Sequence, residues 1–387
     1  MAHKERITEI ELLRGMAFLA VALQHSVAHY SVVQEIGLQD GVLMTLWIMM
    51  AKFAVPVFIF ITGMVLFYNY EGHFNYLTFL KKRLSDIIIP YFFWSLIYFS
   101  LNYGWTEGFI QQGWKWILML FTGKTSYHLW YVVMIFQFYL LFPVFRYLIL
   151  KVRTMIPPRT YVGILLCLGL LFIWLTDNIF TIGDLMANFK IPVITAMFTK
   201  YVDRNFLFFL FYFVLGACAG LRPDLWREWI RKGKNLYVSC FTLFFGYYTY
   251  IVVESFQTAN GLAITFNAVN LLRPLIVIFL VSSICVFYLL AMKMNERGRM
   301  RSNQFLLSIG KYSYGAYLAH ALMLRVSYRF DAALFAHWPV ILRTFMSYVI
   351  CVLFSYFVIM LVSKVPFGKW IGGVPLRNKK KVQTSLK

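Results

Sequence analysis

Arg14 and His25 stand eleven positions apart within the apolar stretch Ile7 to Tyr30. A run long enough to cross a bilayer ordinarily excludes both residue types, so each needs a reason to be there. At about 100° per residue the separation returns to the same helix face within roughly 20°, and at about 1.5 Å per residue it carries His25 roughly 16 Å beyond Arg14. One stripe of one helix then offers a fixed cation near a membrane surface and an imidazole near the midplane. Ala17 and Val21 lie between them on that stripe and Gly15 lies beside Arg14, which lets another helix or a ligand chain approach closely. Taken singly, each residue has a structural explanation. Arg14 can pair with Glu11 one turn earlier and reach lipid phosphates, His25 can bond a neighbouring helix as a neutral core residue, and His29 can be an interfacial polar residue.

Four further groups repeat the pattern of polar residues in apolar surroundings. VPVFIFITGM contains Pro56, Thr62 and Gly63, for which packing and bending suffice. KKRLSDIIIPYFFW sets Lys81, Lys82 and Arg83 ahead of Pro90, Tyr91 and Trp94, a cluster that reads as a topology signal or as a phosphate site. HLWYV places His128 and Trp130 near a membrane interface, where belt anchoring accounts for Trp130 and leaves His128 unexplained. GKYSYGAYLAH holds Lys311, Ser313, Tyr314, Tyr317 and His320, with Tyr317 on nearly the same face as His320. Two histidines, His25 and His320, at matching depths suit an internal reaction site or proton path better than lipid contact.

The elements that must position these residues follow from composition. The chain of 387 residues is 60% hydrophobic and only 14% charged, too little charge to coat a soluble protein of this size. The expected fold is all-α, a polytopic membrane protein with about ten transmembrane helices over 8–30, 44–68, 84–103, 129–150, 160–177, 204–220, 236–254, 269–292, 309–327 and 339–363. A net charge of +21 could suggest nucleic acid, but the basic residues sit mainly in alternate loops, as topology requires. They mark the N-terminus (Lys4, Arg6), the second, fourth, sixth and eighth loops and the tail (Arg377, Lys379, Lys380, Lys381). Both termini are therefore expected in the cytoplasm of a multi-pass protein of the cell membrane, with the tail drawn to anionic lipid. The first span carries acidic residues before its core and no small-residue cleavage site, unlike a removable signal peptide. Residues 104–128, with Trp105, Trp114 and Trp116, suit a helix lying in the outer interface. Residues 178–203 read as a solvated loop with an interfacial turn, or as a lid or re-entrant segment. The five cysteines lack metal or disulfide spacing and read as packing residues, so no metal site is expected.

In this order, the R-x10-H pair, FIFITG, KKRLSDIIIPYFFW, HLWYV and SYGAYLAH resemble the acyltransferase 3 family of integral membrane acyltransferases, over essentially the whole chain. The likeness is to short members that O-acylate bacterial surface polysaccharides, including the branch that modifies poly-N-acetylglucosamine. It implies a membrane domain over residues 1–370 followed by a basic cytoplasmic tail, 371–387, in a bacterial plasma membrane. No SGNH-type domain is attached, so acceptor delivery would fall to the membrane domain or to a partner in glycan synthesis. The implied reaction moves an acyl group, commonly acetyl from cytoplasmic coenzyme A, to a hydroxyl of an extracytoplasmic glycan or lipid-linked sugar. Acyl-CoA is then a donor substrate, with no permanently bound cofactor. The family's essential arginine and histidine map onto Arg14 and His25. Imidazole suits a general base near neutral pH, and a guanidinium suits donor phosphates or an oxyanion. Arg83 and Lys82 would help Arg14 hold the donor, Tyr317 and His320 would orient His25 or carry a second transfer, and His128 with Trp130 would meet the acceptor.

A polysaccharide exporter or lipid-linked sugar flippase is the competing reading, since buried charge and many aromatics suit sugar passage. No inverted repeat supports it. A sensor or assembly role would leave the paired histidines idle.

Overall fold

The computed structural model describes residues 6–72, 74–106, 108–157, 160–259, 261–298 and 300–373. Lys4, Arg159, Arg299 and the tail residues Arg377 and Lys379 to Lys381 lie outside that set. The described chain is helical almost throughout, with one pair of two-residue strands at Gln257–Thr258 and Gly261–Leu262.

All ten expected segments fall on helices. Among the described residues, seven helical stretches are long and apolar enough to cross a membrane, and counting each of two bent pairs as one span brings the number to nine. The first is α1 (Thr8–Tyr30), whose opening turn carries Glu9 and Glu11, where the helix dipole favours negative charge. The second is broken at Lys52 and Phe53 into α2 (Leu38–Ala51) and α3 (Ala54–Asn69). The third comprises α4 (Tyr76–Arg83), a π-helical turn at Leu84–Ile88 and α5 (Ile89–Asn102). Pro90 brings no backbone N–H to that junction, and the widened turn lies directly before it. Next come α6 (Phe109–Thr122) and α7 (Trp130–Met155), the latter with Pro143 inside it. Both bent pairs belong to the middle of the chain: α8 (Tyr161–Asp177) turns by 68° into α9 (Ile179–Ala187), followed by α10 (Pro192–Phe198), and the segment ending in α11 (Leu210–Leu221) turns by 111° into α12 (Pro223–Lys232). The rest are α13 (Lys234–Glu254), α14 (Ile276–Glu296), α15 (Arg301–Phe330), α16 (Val340–Val362) and the short α17 (Gly368–Gly372).

Span 269–292 was expected to start seven residues earlier than α14 does. Asn267–Val269 is a 3-10 turn and Pro274 precedes the helix, so the regular hydrogen-bond ladder begins only at Ile276. Helix α15 is too polar to stand among the seven apolar spans, and its packing explains how it is held: it lies between α1 and α16. At Gly310 a side-chain carbon would sit 2.0 Å from the Glu11 carbonyl, and at Gly15 one would sit 2.6 Å from the Leu306 carbonyl. Glycine thus lets α1 and α15, the helices of His25 and His320, touch backbone to backbone. A similar seam of Gly63, Gly216 and Gly220 joins α3 to α11.

The segment 104–128 contains α6, whose exposed Ile110, Trp114, Leu118 and Phe121 recur at helical spacing along one side, as an interfacial helix requires. Within 178–203 the helices α9 and α10 stand where a solvated loop was the first expectation, and the 68° bend from α8 into α9 fits the re-entrant alternative. With residues 267–274 they border a cavity of ≈ 840 Å³ whose lining includes Asp184, Lys200, Asp203 and Arg273 and none of the site residues named above. The basic loops are used structurally. Arg227 binds the buried Glu9 at 2.9 Å, Arg231 binds Glu296 at 2.7 Å, Arg153 binds Glu71 at 2.7 Å and Lys369 reaches Asp86 at 3.4 Å. These pairs join the beginning of α1 to the sixth loop, the sixth to the eighth, and the fourth to the second.

Candidate active site

Three imidazoles meet at the end of α1 remote from Arg14. His25 stacks on His320 with ring centroids 5.2 Å apart, and His128 meets His320 edge-on at 4.6 Å. His25 comes from α1, His320 from α15 and His128 from the turn that starts α7. The expectation of one depth for His25 and His320 is met, but α1 ends at Tyr30, so His25 lies five residues from that end and nearer to it than to the helix centre. The centre of α1 falls at Leu19, six residues before His25.

Helix α16 braces this arrangement. Ser26 Oγ donates to the Thr344 carbonyl at 2.8 Å, the Tyr30 hydroxyl and Ser347 Oγ share a hydrogen bond of 2.8 Å, and the Cys351 thiol donates to the His320 carbonyl at 3.4 Å. On the opposite side the Tyr98 hydroxyl donates to the Leu318 carbonyl at 2.7 Å and accepts from the Leu322 amide at 3.1 Å. One tyrosine thereby clamps the backbone on either side of His320.

The hydrogen bonds fix which ring nitrogens are available. His320 Nδ1 faces the carbonyl oxygen of Tyr317, which can only accept, so Nδ1 carries the proton and the lone pair of the neutral ring is on Nε2. His128 Nδ1 lies 3.2 Å from Ser126 Oγ. Both Nε2 atoms are buried and make no hydrogen bond. Leaving one such atom unpaired costs about 1–3 kcal/mol, a cost that a reactant entering the cluster would relieve. The Tyr317 hydroxyl donates to the His128 carbonyl and ties the α7 turn to α15. Among the described residues no group of three or more His, Cys, Asp or Glu side chains is arranged to hold a metal ion.

A line of rings runs from the cluster toward Arg14. Tyr317 lies 5.4 Å from His128 and 5.6 Å from His320, and Tyr131 lies 5.7 Å from Tyr317. Tyr131 is in turn within electrostatic reach of Arg14 and Tyr139. The Arg83 guanidinium stands 5.3 Å from the ring of Tyr139, 5.3 Å from Phe79 and 6.0 Å from Tyr70, with its Nε buried and without a hydrogen bond. Arg14 binds Glu11 at 3.1 Å, and Arg6 shares the same carboxylate oxygen at 3.1 Å. Arg83 thus adjoins Tyr139 while Arg14 lies within electrostatic reach of Tyr131, at the end of this line of rings remote from the histidines.

The other sequence candidates divide. Lys82 is exposed on α4 and, among the described residues, makes no ion pair or hydrogen bond. Trp130 packs on Phe209 at 5.9 Å, whereas its neighbour His128 is only 1% exposed. Sequence reasoning passed over Tyr131, Tyr139, Tyr98 and Tyr127. Tyr131 sat inside the HLWYV segment, but tyrosines are too common in this chain for residue type alone to single one out.

The model of one protein family, described as an acyltransferase domain, matches residues 7–361. The chain belongs to that family, acyltransferase 3. It is an acyltransferase, as the family resemblance implied. No curated protein and no solved structure gives a significant match. The matched stretch takes in α1 through nearly all of α16, and with them every residue of the histidine cluster and of the tyrosine line.

Proposed function

We propose that this membrane acyltransferase moves an acetyl group from acetyl-CoA to a hydroxyl of an extracytoplasmic cell-surface polysaccharide. The observation that carries the reading is the contact of three imidazoles, two with unpaired Nε2 atoms, at one end of a line of tyrosine rings that leads toward Arg14. The alternation of basic loops supports a cytoplasmic position for the arginine end, where the phosphates of coenzyme A would meet guanidinium groups. The pantetheine arm then runs along Tyr139, Tyr131 and Tyr317 and delivers the thioester to the histidines.

There, His25 removes the proton of the acceptor hydroxyl as its oxygen attacks the thioester carbonyl. The C–S bond breaks, the ester C–O bond forms, and the proton returns through imidazole to the departing coenzyme A thiolate. His320, with its proton fixed on Nδ1, presents a second basic nitrogen beside His25, and Tyr317 holds the α7 turn so that His128 closes the site. General acid–base assistance of this kind contributes about 10²- to 10⁴-fold to rate.

The test uses purified protein with radiolabelled acetyl-CoA, together with NMR of the surface glycan from a deletion strain. Label transfer that disappears in a folded His25→Ala variant, and acetyl esters missing from the deletion-strain polymer, are the expected results. Unchanged turnover in His25→Ala would remove the assignment of the base, and an unaltered glycan would remove the acceptor.

A further inference from the structure

The three histidines differ in how they can be reached. His128 and His320 are 1% and 0% exposed, whereas His25 is half-buried. Beside His25 stands Tyr127, its ring 4.7 Å away and the residue 56% exposed. The Tyr328 hydroxyl lies 3.5 Å from the His25 carbonyl, and the Tyr328 ring stacks at 3.6 Å on the exposed His29. One turn before Tyr328, the exposed Arg325 donates to Asn102 Oδ1, and Asn102 donates in turn to the Thr125 carbonyl, two residues from Tyr127. Among the described residues no carboxylate pairs with Arg325. The carboxylate nearest in sequence, Asp331, is committed to Arg343 at 2.9 Å.

We propose that Tyr127, His29, Tyr328 and Arg325 form the acceptor subsite and that it takes a saccharide ring. The proposal rests on the acyl-transfer reading above and adds the direction and chemistry of acceptor approach. An exposed aromatic face gives the C–H face of a pyranose a flat surface to stack on. Arg325 offers guanidinium donors, and His29 offers a ring nitrogen, to the sugar's oxygens. An acyl chain would call for an apolar lining, which these residues do not provide. A ring stacked on Tyr127 puts its edge hydroxyls beside His25, the least buried of the three clustered imidazoles. The donor enters from the opposite end, past Arg14, so the two substrates meet without sharing an entrance.

The experiment uses the full-length protein in lipid nanodiscs with radiolabelled acetyl-CoA and two readouts. One is thioester cleavage without glycan; the other is label transfer to polysaccharide purified from a strain deleted for the gene. In Tyr127→Ala and Arg325→Gln, transfer is expected to fall at least tenfold further than cleavage, with a higher half-saturating glycan concentration, and Tyr127→Trp should restore most of it. Tyr127→Ala that transfers like wild type, or that loses cleavage and transfer in equal proportion, overturns the subsite. Wild-type protein that leaves acetyl-CoA intact with the glycan present overturns the acyl-transfer reading and the subsite with it; an active wild type matched by Tyr127→Ala overturns the subsite alone.

Discussion

Replacing Gly310 by alanine should damage turnover more than its small size suggests. The added carbon would stand 2.0 Å from the Glu11 carbonyl oxygen and 2.9 Å from the carbon of that carbonyl, both of them backbone atoms. Restoring ordinary contact needs about 1.4 Å of separation between α1 and α15, because helix backbone cannot swing aside as a side chain would. Overpacking of this kind costs about 1–3 kcal/mol. His320 lies ten residues further along α15, about 15 Å from the wedge, and His25 is on the helix being pushed. A misplacement near 1 Å at reacting groups is worth about 10²-fold in rate, so the expected outcome is a ten- to hundred-fold fall in kcat with a modestly lower melting midpoint. The assay is label transfer from acetyl-CoA by purified protein, with thermal unfolding followed by fluorescence. Gly246→Ala on α13 is the control, since no atom lies within 4 Å of the carbon it adds. It should keep wild-type turnover and gain about 0.4–1 kcal/mol. Wild-type kcat and midpoint in Gly310→Ala would refute the backbone contact between the two histidine-bearing helices.

Two further outcomes follow from the ion pairs. Asp331 and Arg343 form a two-pronged pair with side chains only 5% and 15% accessible, so Asp331→Ala should cost about 3–5 kcal/mol by stranding the guanidinium. The double variant Asp331→Ala with Arg343→Leu should unfold at a higher temperature than Asp331→Ala alone, and a lower one would contradict the pairing. Arg14→Gln should raise the KM for acetyl-CoA at least tenfold with the KM for glycan unchanged, measured by varying each substrate in turn; an unaltered acetyl-CoA KM would remove Arg14 from donor binding.

The helical class was legible because apolar length sets the spans, and the pairing of His25 with His320 was legible because each lies about the same number of residues into its own span. The ends of elements were less so. Lys52 breaks the second span and Pro274 delays α14, and in both cases the surrounding residues are apolar enough to read as continuous helix. His128 was legible as an anomaly and not as a member of the cluster. It precedes its helix, so no spacing rule relates it to α1 or α15, and only the packing of three helices turns it inward. Tyr127, adjacent to it, is the exposed partner of His25 for the same reason. Sequence position alone gives neighbouring residues in a turn no inside or outside. The glycines were half legible. Gly15 signalled close approach, and its facing surface, Leu306 to Gly310, is nearly three hundred residues away in the chain.

The most direct measurement is a double-mutant cycle on acyl transfer with His25→Ala, His320→Ala and the combined variant. Imidazoles 5.2 Å apart that serve one proton transfer should show strong coupling, so the double variant should be scarcely slower than the slower single one. Losses that multiply, with each histidine contributing independently of the other, would contradict a single catalytic cluster shared by α1 and α15.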